Sequence, residues 1–167
     1  MTTRLARPED RAAIWTLYQN AMRQHIESIW GWDEDWQTAD FDKAFSTSAT
    51  YVVERDSEFS GYIQLDMKEG ENYLRMIALT PRLRSKGIGA SLLAEILQLS
   101  QQAGCRLRLR VFRVNGLAKR FYEREGWQVE AEDDAFFLMT HASNETSKAI
   151  KPSRVSCAKN FEMLVDI

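Results

Sequence analysis

The chain has 167 residues, 44% hydrophobic and 28% charged, with a net charge of −2, which suits one globular domain with its own core and excludes a disordered segment. The acidic balance argues against a general nucleic-acid binder, and no apolar run is long enough to span a membrane. Cys105 and Cys157 lie far apart without metal-ligand spacing and Met1 to Leu5 does not read as a leader, so a cytoplasmic setting and no metal are expected.

Thr3 to Ala6 reads as a first strand, and Pro8-Glu9-Asp10 opens a helix whose apolar positions Ile14, Leu17, Tyr18, Ala21 and Met22 follow helical spacing. After Trp30-Gly31-Trp32 a shorter helix is expected through Trp36 to Phe45. Thr50 to Glu54 and Gly61 to Met67 alternate and are rich in β-formers, so they read as a hairpin joined by Arg55 to Ser60. A turn at Lys68 to Glu71 precedes a fourth strand, Asn72 to Leu79. A helix from Gly87 to Ala103 stops at Gly104, and Arg106 to Phe112 makes a fifth strand. Asn115 to Glu125 reads as a helix, and Trp127 to Ala131 with Ala135 to Thr140 as a final hairpin. From His141 the chain turns polar through Arg154, like a linker, before an apolar end at Phe161 to Ile167.

The most telling stretch is Ile77 to Gly89, where a strand ends in a basic, glycine-bearing turn that opens directly into a helix. Unpartnered N–H groups at a helix start, with the positive end of the helix dipole, suit a pyrophosphate. The cradle would comprise Arg84, Ser85, Lys86, Gly87, Ile88, Gly89 and Ala90, the glycines allowing close approach and the cations adding charge. A P-loop and a dinucleotide fingerprint are both excluded, since no Gly stands four residues before a Gly-Lys-[ST] triplet and Leu92 occupies the place of a third Gly.

What fits is R-x-x-G-x-G after a strand and Pro81, which closely resembles the acetyl-CoA-binding turn of the GNAT superfamily of N-acetyltransferases. Asn115 to Trp127 is similar to that family's N-x-x-A-x-x-F-Y-x-x-x-G-F segment, with Trp127 for the last Phe. The resemblance covers residues 3 to 140 and is strongest from Tyr73 to Trp127. It implies an α+β fold, a mixed sheet of six or seven strands flanked by helices, whose splayed central strands bind coenzyme A. The domain would span residues 1–141, with 142–167 as a linker and tail.

By the same resemblance, the activity expected is transfer of an acetyl group from acetyl-CoA to a primary amine by direct attack, with a small amine as acceptor. Alternatives are a protein N-terminus or lysine as acceptor, or a non-catalytic acyl-CoA sensor; a homodimer is left open. Backbone groups of Ile77, Ala78 and Leu79 would hold the pantetheine arm, with Asn115 and Ala118 beside it. Asn115 is explained equally well as a helix N-cap. Tyr122 matches the family tyrosine near the CoA sulfur and is the general-acid candidate.

Many members carry a base glutamate where this chain has Tyr73, six residues before Leu79. Glu71, two residues earlier and on the same strand face, is the substitute candidate, acting through water; His25 and Glu27 are others. Arg75, expected on one face with Tyr73 and Ile77, could hold a substrate carboxylate, whereas Arg108 and Arg110 are expected on an exposed or ion-paired face. Glu27, Trp30 and Trp32 would line an amphipathic acceptor wall; alternatively these rings pack in the core and the nearby acids cap the next helix.

Overall fold

The computed structural model describes residues 1–143; the polar linker and apolar tail expected farther on lie outside the described residues. Within them the order is β1 (Thr2–Leu5), a 3-10 turn (Pro8–Asp10), α1 (Arg11–Trp30), α2 (Glu34–Thr47), β2 (Ala49–Arg55), β3 (Glu58–Lys68) and β4 (Glu71–Leu79). After a second 3-10 turn (Pro81–Leu83) come α3 (Ile88–Gln102), β5 (Arg106–Phe112), α4 (Gly116–Arg124), β6 (Trp127–Glu132) and β7 (Phe136–His141). They form one seven-stranded sheet in the order β1-β2-β3-β4-β5-β7-β6. Only β4 and β5 run parallel, joined through α3; the other pairs are antiparallel. No helix among the described residues is long and apolar enough to cross a membrane.

Local chemistry explains how the helices begin. Arg4 on β1 forks onto Asp10 at 2.7 and 2.9 Å and reaches Glu54 on β2 at 2.8 Å, tying the start of α1 to the sheet. Asp33 caps α2 by accepting the Trp36 N–H at 2.9 Å, so the acids beside the tryptophans do serve the helix start. The β2–β3 connection is shorter than the six-residue loop expected. Asp56 and Ser57 both take positive φ, 54° and 63°, which makes a two-residue turn of the kind that matches strand twist, and a bulge absorbs the extra residue at Ser60.

Two apolar layers sandwich the sheet. Leu92, Leu93, Ile96 and Leu97 of α3 pack on one face against Leu65, Leu74, Leu107 and Leu109. On the other, Ile14 and Leu17 of α1 and Phe41 of α2 pack against Val52, Tyr62, Met76 and Ala78. β4 contributes to both layers because it is bulged: Leu65 pairs with Leu74 but Gln64 pairs with Met76, leaving Arg75 as the extra residue. Leu74 therefore faces α3, whereas Met76 and Ala78 face α1 and α2. This corrects one expectation: Arg75 stays beside Tyr73, but Ile77 turns to the opposite face.

The same strand pair holds a sharp steric constraint. A Cβ at Gly61 would overlap the Ala78 carbonyl oxygen and lie 2.9 Å from Leu79 Cδ2. Gly61→Ala is expected to cost about 3 kcal/mol and lower Tm by roughly 6–12 °C, read by thermal unfolding; an unchanged Tm would show that β3 and β4 are less tightly apposed.

Candidate active site

The bulge at Arg75 coincides with the place where the central strands part. β4 and β5 pair only from Glu71 and Arg106 to Leu74 and Leu109, although β4 runs on to Leu79 and β5 to Phe112. Beyond that point β5 is held by β7 and β4 by β3, so a gap opens between them. Thr80 donates its N–H to the Ser60 carbonyl at 2.9 Å. By the alternation of an antiparallel ladder, Ala78 and Met76 then also turn their backbone groups toward β3, and Ile77 and Leu79 turn theirs toward the gap. Ala78, grouped with its neighbours on sequence grounds, thus has its backbone engaged in the sheet.

At the end of this gap stands the start of α3. Gly87 precedes it with φ 77° and offers no side-chain cap, and Ser91 N–H donates to the Gly87 carbonyl at 3.0 Å to begin the helical ladder. The N–H groups of Ile88, Gly89 and Ala90 are left facing outward at the positive end of the helix. Ser85 also takes positive φ, 59°, which curls the turn so that successive amides converge as an anion-binding nest does. Arg84 spends its Nε on the Leu79 carbonyl at 3.0 Å, so it braces the turn against β4, while Lys86 is exposed.

On the α1 and α2 side the gap continues into a cavity of about 650 Å³. Tyr122 of α4 lines it, with Asn115 and Ala118. Asn115 accepts the Ala118 N–H at 3.0 Å through Oδ1, so it is the α4 cap, and it also sits on the cavity wall. The Tyr122 ring is set edge-on to Phe121 and Trp127, at 5.1 and 6.2 Å. Its hydroxyl takes no hydrogen bond from the described residues. Burial pushes its phenol well above the ordinary tyrosine value, and nearby Tyr73 pushes the same way. Such a phenol holds its proton at neutral pH and presents it to the cavity as a hydrogen-bond donor.

Tyr73, Glu71 and Arg75 share the opposite wall. Burial raises the Tyr73 phenol, with Arg110 and Arg75 pulling the other way. Glu71 pairs with Arg108 at 3.2 Å, and Arg108 also meets Glu130 at 2.8 Å. Arg75 meets Asp66 at 3.2 Å, so it is neutralised from within the fold.

The tryptophan-rich segment is only partly assembled with this site. Trp30 leans on Phe112 and Phe136, each at 6.0 Å, and both of those rings line the cavity. Trp32 instead packs on Trp15 under the Arg23 guanidinium and donates Nε1–H to Glu34, and Glu27 pairs with Arg23 at 2.8 Å. His25 lies against Phe112 at 6.1 Å. Several lining residues carry no motif: Tyr18, Asp40, Gln64 and Arg110. Tyr18 is pushed up to about 12 by burial first and Asp40 next. Arg108 and Arg110 do share a face, Arg108 ion-paired and Arg110 exposed as expected, and that face lines the cavity.

Three comparisons with known proteins agree with this geometry. The model of the Acetyltransferase (GNAT) family matches residues 11–127. A spermidine N(1)-acetyltransferase of Thermoplasma acidophilum is 33% identical over 85 residues, which is 50% of this chain and 53% of that protein; the match thus spans about half the length of this curated relative. Among solved structures, the PaiA N-acetyltransferase of Thermoplasma acidophilum in complex with coenzyme A superposes with a TM-score of 0.66 at 21% identity, covering 84% of this chain and 99% of that one. The ribosomal-protein-S18-alanine N-acetyltransferase of Escherichia coli gives 0.62 at 18%, covering 84% and 92%. Naa20 of Chaetomium thermophilum, with a bisubstrate analogue, gives 0.61 at 17%, covering 89% and 90%. At these identities the structural likeness speaks for the fold.

Proposed function

The chain belongs to the acetyltransferase (GNAT) family, and from that premise we propose that it transfers the acetyl group of acetyl-CoA to a primary amine of a small molecule. The observation that carries this reading is the parted β4–β5 pair, with Ile77 and Leu79 turned into the gap and an uncapped α3 at its end. The residues fit coenzyme A. An extended arm could add to β4 as a strand through Ile77 N–H and C=O and Leu79 N–H, Ala118 and Asn115 flanking it. The amides of Gly87 to Ala90, with Ser85 and Lys86 in the same turn, suit a pyrophosphate, and Gly89 keeps the backbone bare beside Phe121 and Leu79, which a Cβ there would touch at 3.8 and 3.9 Å.

When bound, acetyl-CoA supplies an activated thioester. Holding that thioester at the strand gap and the amine in the adjoining cavity converts a bimolecular encounter into attack at fixed geometry. As the amine nitrogen took the acyl carbon and the carbon–sulfur bond broke, Tyr122 Oη would hydrogen-bond the departing sulfur and supply its proton. Glu71 is assigned the removal of the ammonium proton through water, because it lines the cavity as a carboxylate and is held in place there by its ion pair with Arg108.

The test is calorimetric titration with acetyl-CoA, followed on the same sample by a free-thiol assay against amines, diamines and amino acids. One acetyl-CoA per chain and thiol release with a small amine are the expected results. Absence of acetyl-CoA binding would overturn the reading. Isotope-labelled acetyl appearing on added protein in place of small amines would move the acceptor to a protein N-terminus or lysine.

A further inference from the structure

The charges around the cavity are not all matched, and the mismatch selects an acceptor. Lys68, Arg75, Arg108 and Arg110 line it against the carboxylates of Asp40, Asp66 and Glu71. Arg75 is paired with Asp66, and Arg108 with Glu71 and Glu130. Arg110 has no carboxylate within ion-pair distance among the described residues. Its guanidinium lies over the Phe136 ring at 5.7 Å, and Phe136 is stacked on Phe112 at 4.6 Å. Asp133, on the neighbouring turn, spends Oδ1 on the N–H groups of Ala135 and Phe136 at 2.9 and 2.7 Å.

Position makes Arg110 the informative member. Arg108 is level with Tyr73 in the last paired stretch of β4 and β5, so Arg110 stands just past the point where the strands part, on the side of the gap that opens to Tyr73. Lys68, the other cavity cation without an ion pair among the described residues, lies level with Glu71 at the far end of β3. Arg110 is exposed, so its fork is open to an incoming anion while the Phe136 ring lies beneath it, and a planar guanidinium takes a carboxylate bidentately.

We propose that Arg110 binds a carboxylate of the acceptor, so that the amine acetylated here belongs to the amino-acid class, with its anionic group held against the Phe112–Phe136 shelf. The proposal rests on the transferase reading above. A polyamine would instead bring a second positive charge beside a guanidinium that has Asp133 nearby but no carboxylate within ion-pair distance among the described residues, which disfavours it.

The experiment compares an acidic amine with its own carboxamide, and both with a polyamine, by thiol release from saturating acetyl-CoA using the whole chain. The carboxylate form is expected to have a KM about 10-fold or more below that of the amide, with similar kcat. In Arg110→Gln that ratio is expected to collapse to about 1 while acetyl-CoA affinity stays within about twofold. Equal use of acid and amide by the unaltered chain, preference for the polyamine, or a ratio that survives Arg110→Gln would overturn it. Loss of acetyl-CoA binding in the unaltered chain would overturn the transferase reading itself, and calorimetry distinguishes that failure from the others.

Discussion

Tyr122→Phe is expected to lower kcat about 100-fold while leaving acetyl-CoA affinity within about twofold. The substitution removes one oxygen and keeps the ring, whose edge contact with Trp127 holds α4 against the core. The hydroxyl is not needed for folding, because it takes no hydrogen bond from the described residues; its value lies in facing the cavity with a proton. The sign of its shift matters here. Burial and Tyr73 raise the phenol above its ordinary 10.0, so the proton is still present as pH climbs through neutrality, and kcat/KM should rise with deprotonation of the attacking amine up to about pH 9. The Phe variant should show the same rising limb at a lower level. Turnover retained in full would remove Tyr122 from proton delivery and leave water or the amine itself to protonate the sulfur.

The order of elements was legible because it depends on local pattern. The β-forming run from Thr50 to Val53 is buried on both faces, Tyr51 and Val53 in one layer and Val52 in the other, and helical spacing from Ile14 to Met22 records the one face of α1 that meets the core. The cradle was legible for the same reason, since a strand, a glycine turn and a helix start are contiguous. What escaped depends on pairing between distant segments. Nothing local in Leu74-Arg75-Met76 announces that Arg75 is an extra residue opposite Gln64 and Leu65, yet that bulge decides which side chains face the acceptor cavity. The tryptophan cluster is divided for a related reason: Trp32 meets Trp15 and Arg23, partners outside its own segment, whereas Trp30 leans on rings of the cavity wall. Asp40 and Arg110 became site residues only when α2 and β5 closed opposite walls of one cavity.

The second large effect is expected at Gly89. Gly89→Trp should weaken acetyl-CoA at least about 100-fold in calorimetric titration, whereas Gly89→Ala should stay within about threefold. A Cβ at this position would meet Phe121 Cζ at 3.8 Å and Leu79 Cδ1 at 3.9 Å, ordinary contacts that a methyl tolerates. An indole has nowhere to go on that side without displacing Phe121 of α4 or Leu79, whose carbonyl anchors Arg84; turned the other way, it covers the free amides of the first turn. Gly87 tests a different property of the same cradle. Nothing lies within 4 Å of a Cβ there, but φ is +77°, so Gly87→Ala should cost about 1–2 kcal/mol in backbone strain and loosen the turn without filling it. Space at Gly89 and conformation at Gly87 are thus separable requirements. If Gly89→Trp bound acetyl-CoA as tightly as the unaltered chain with an unchanged Tm, the pyrophosphate would have to sit elsewhere than at the start of α3.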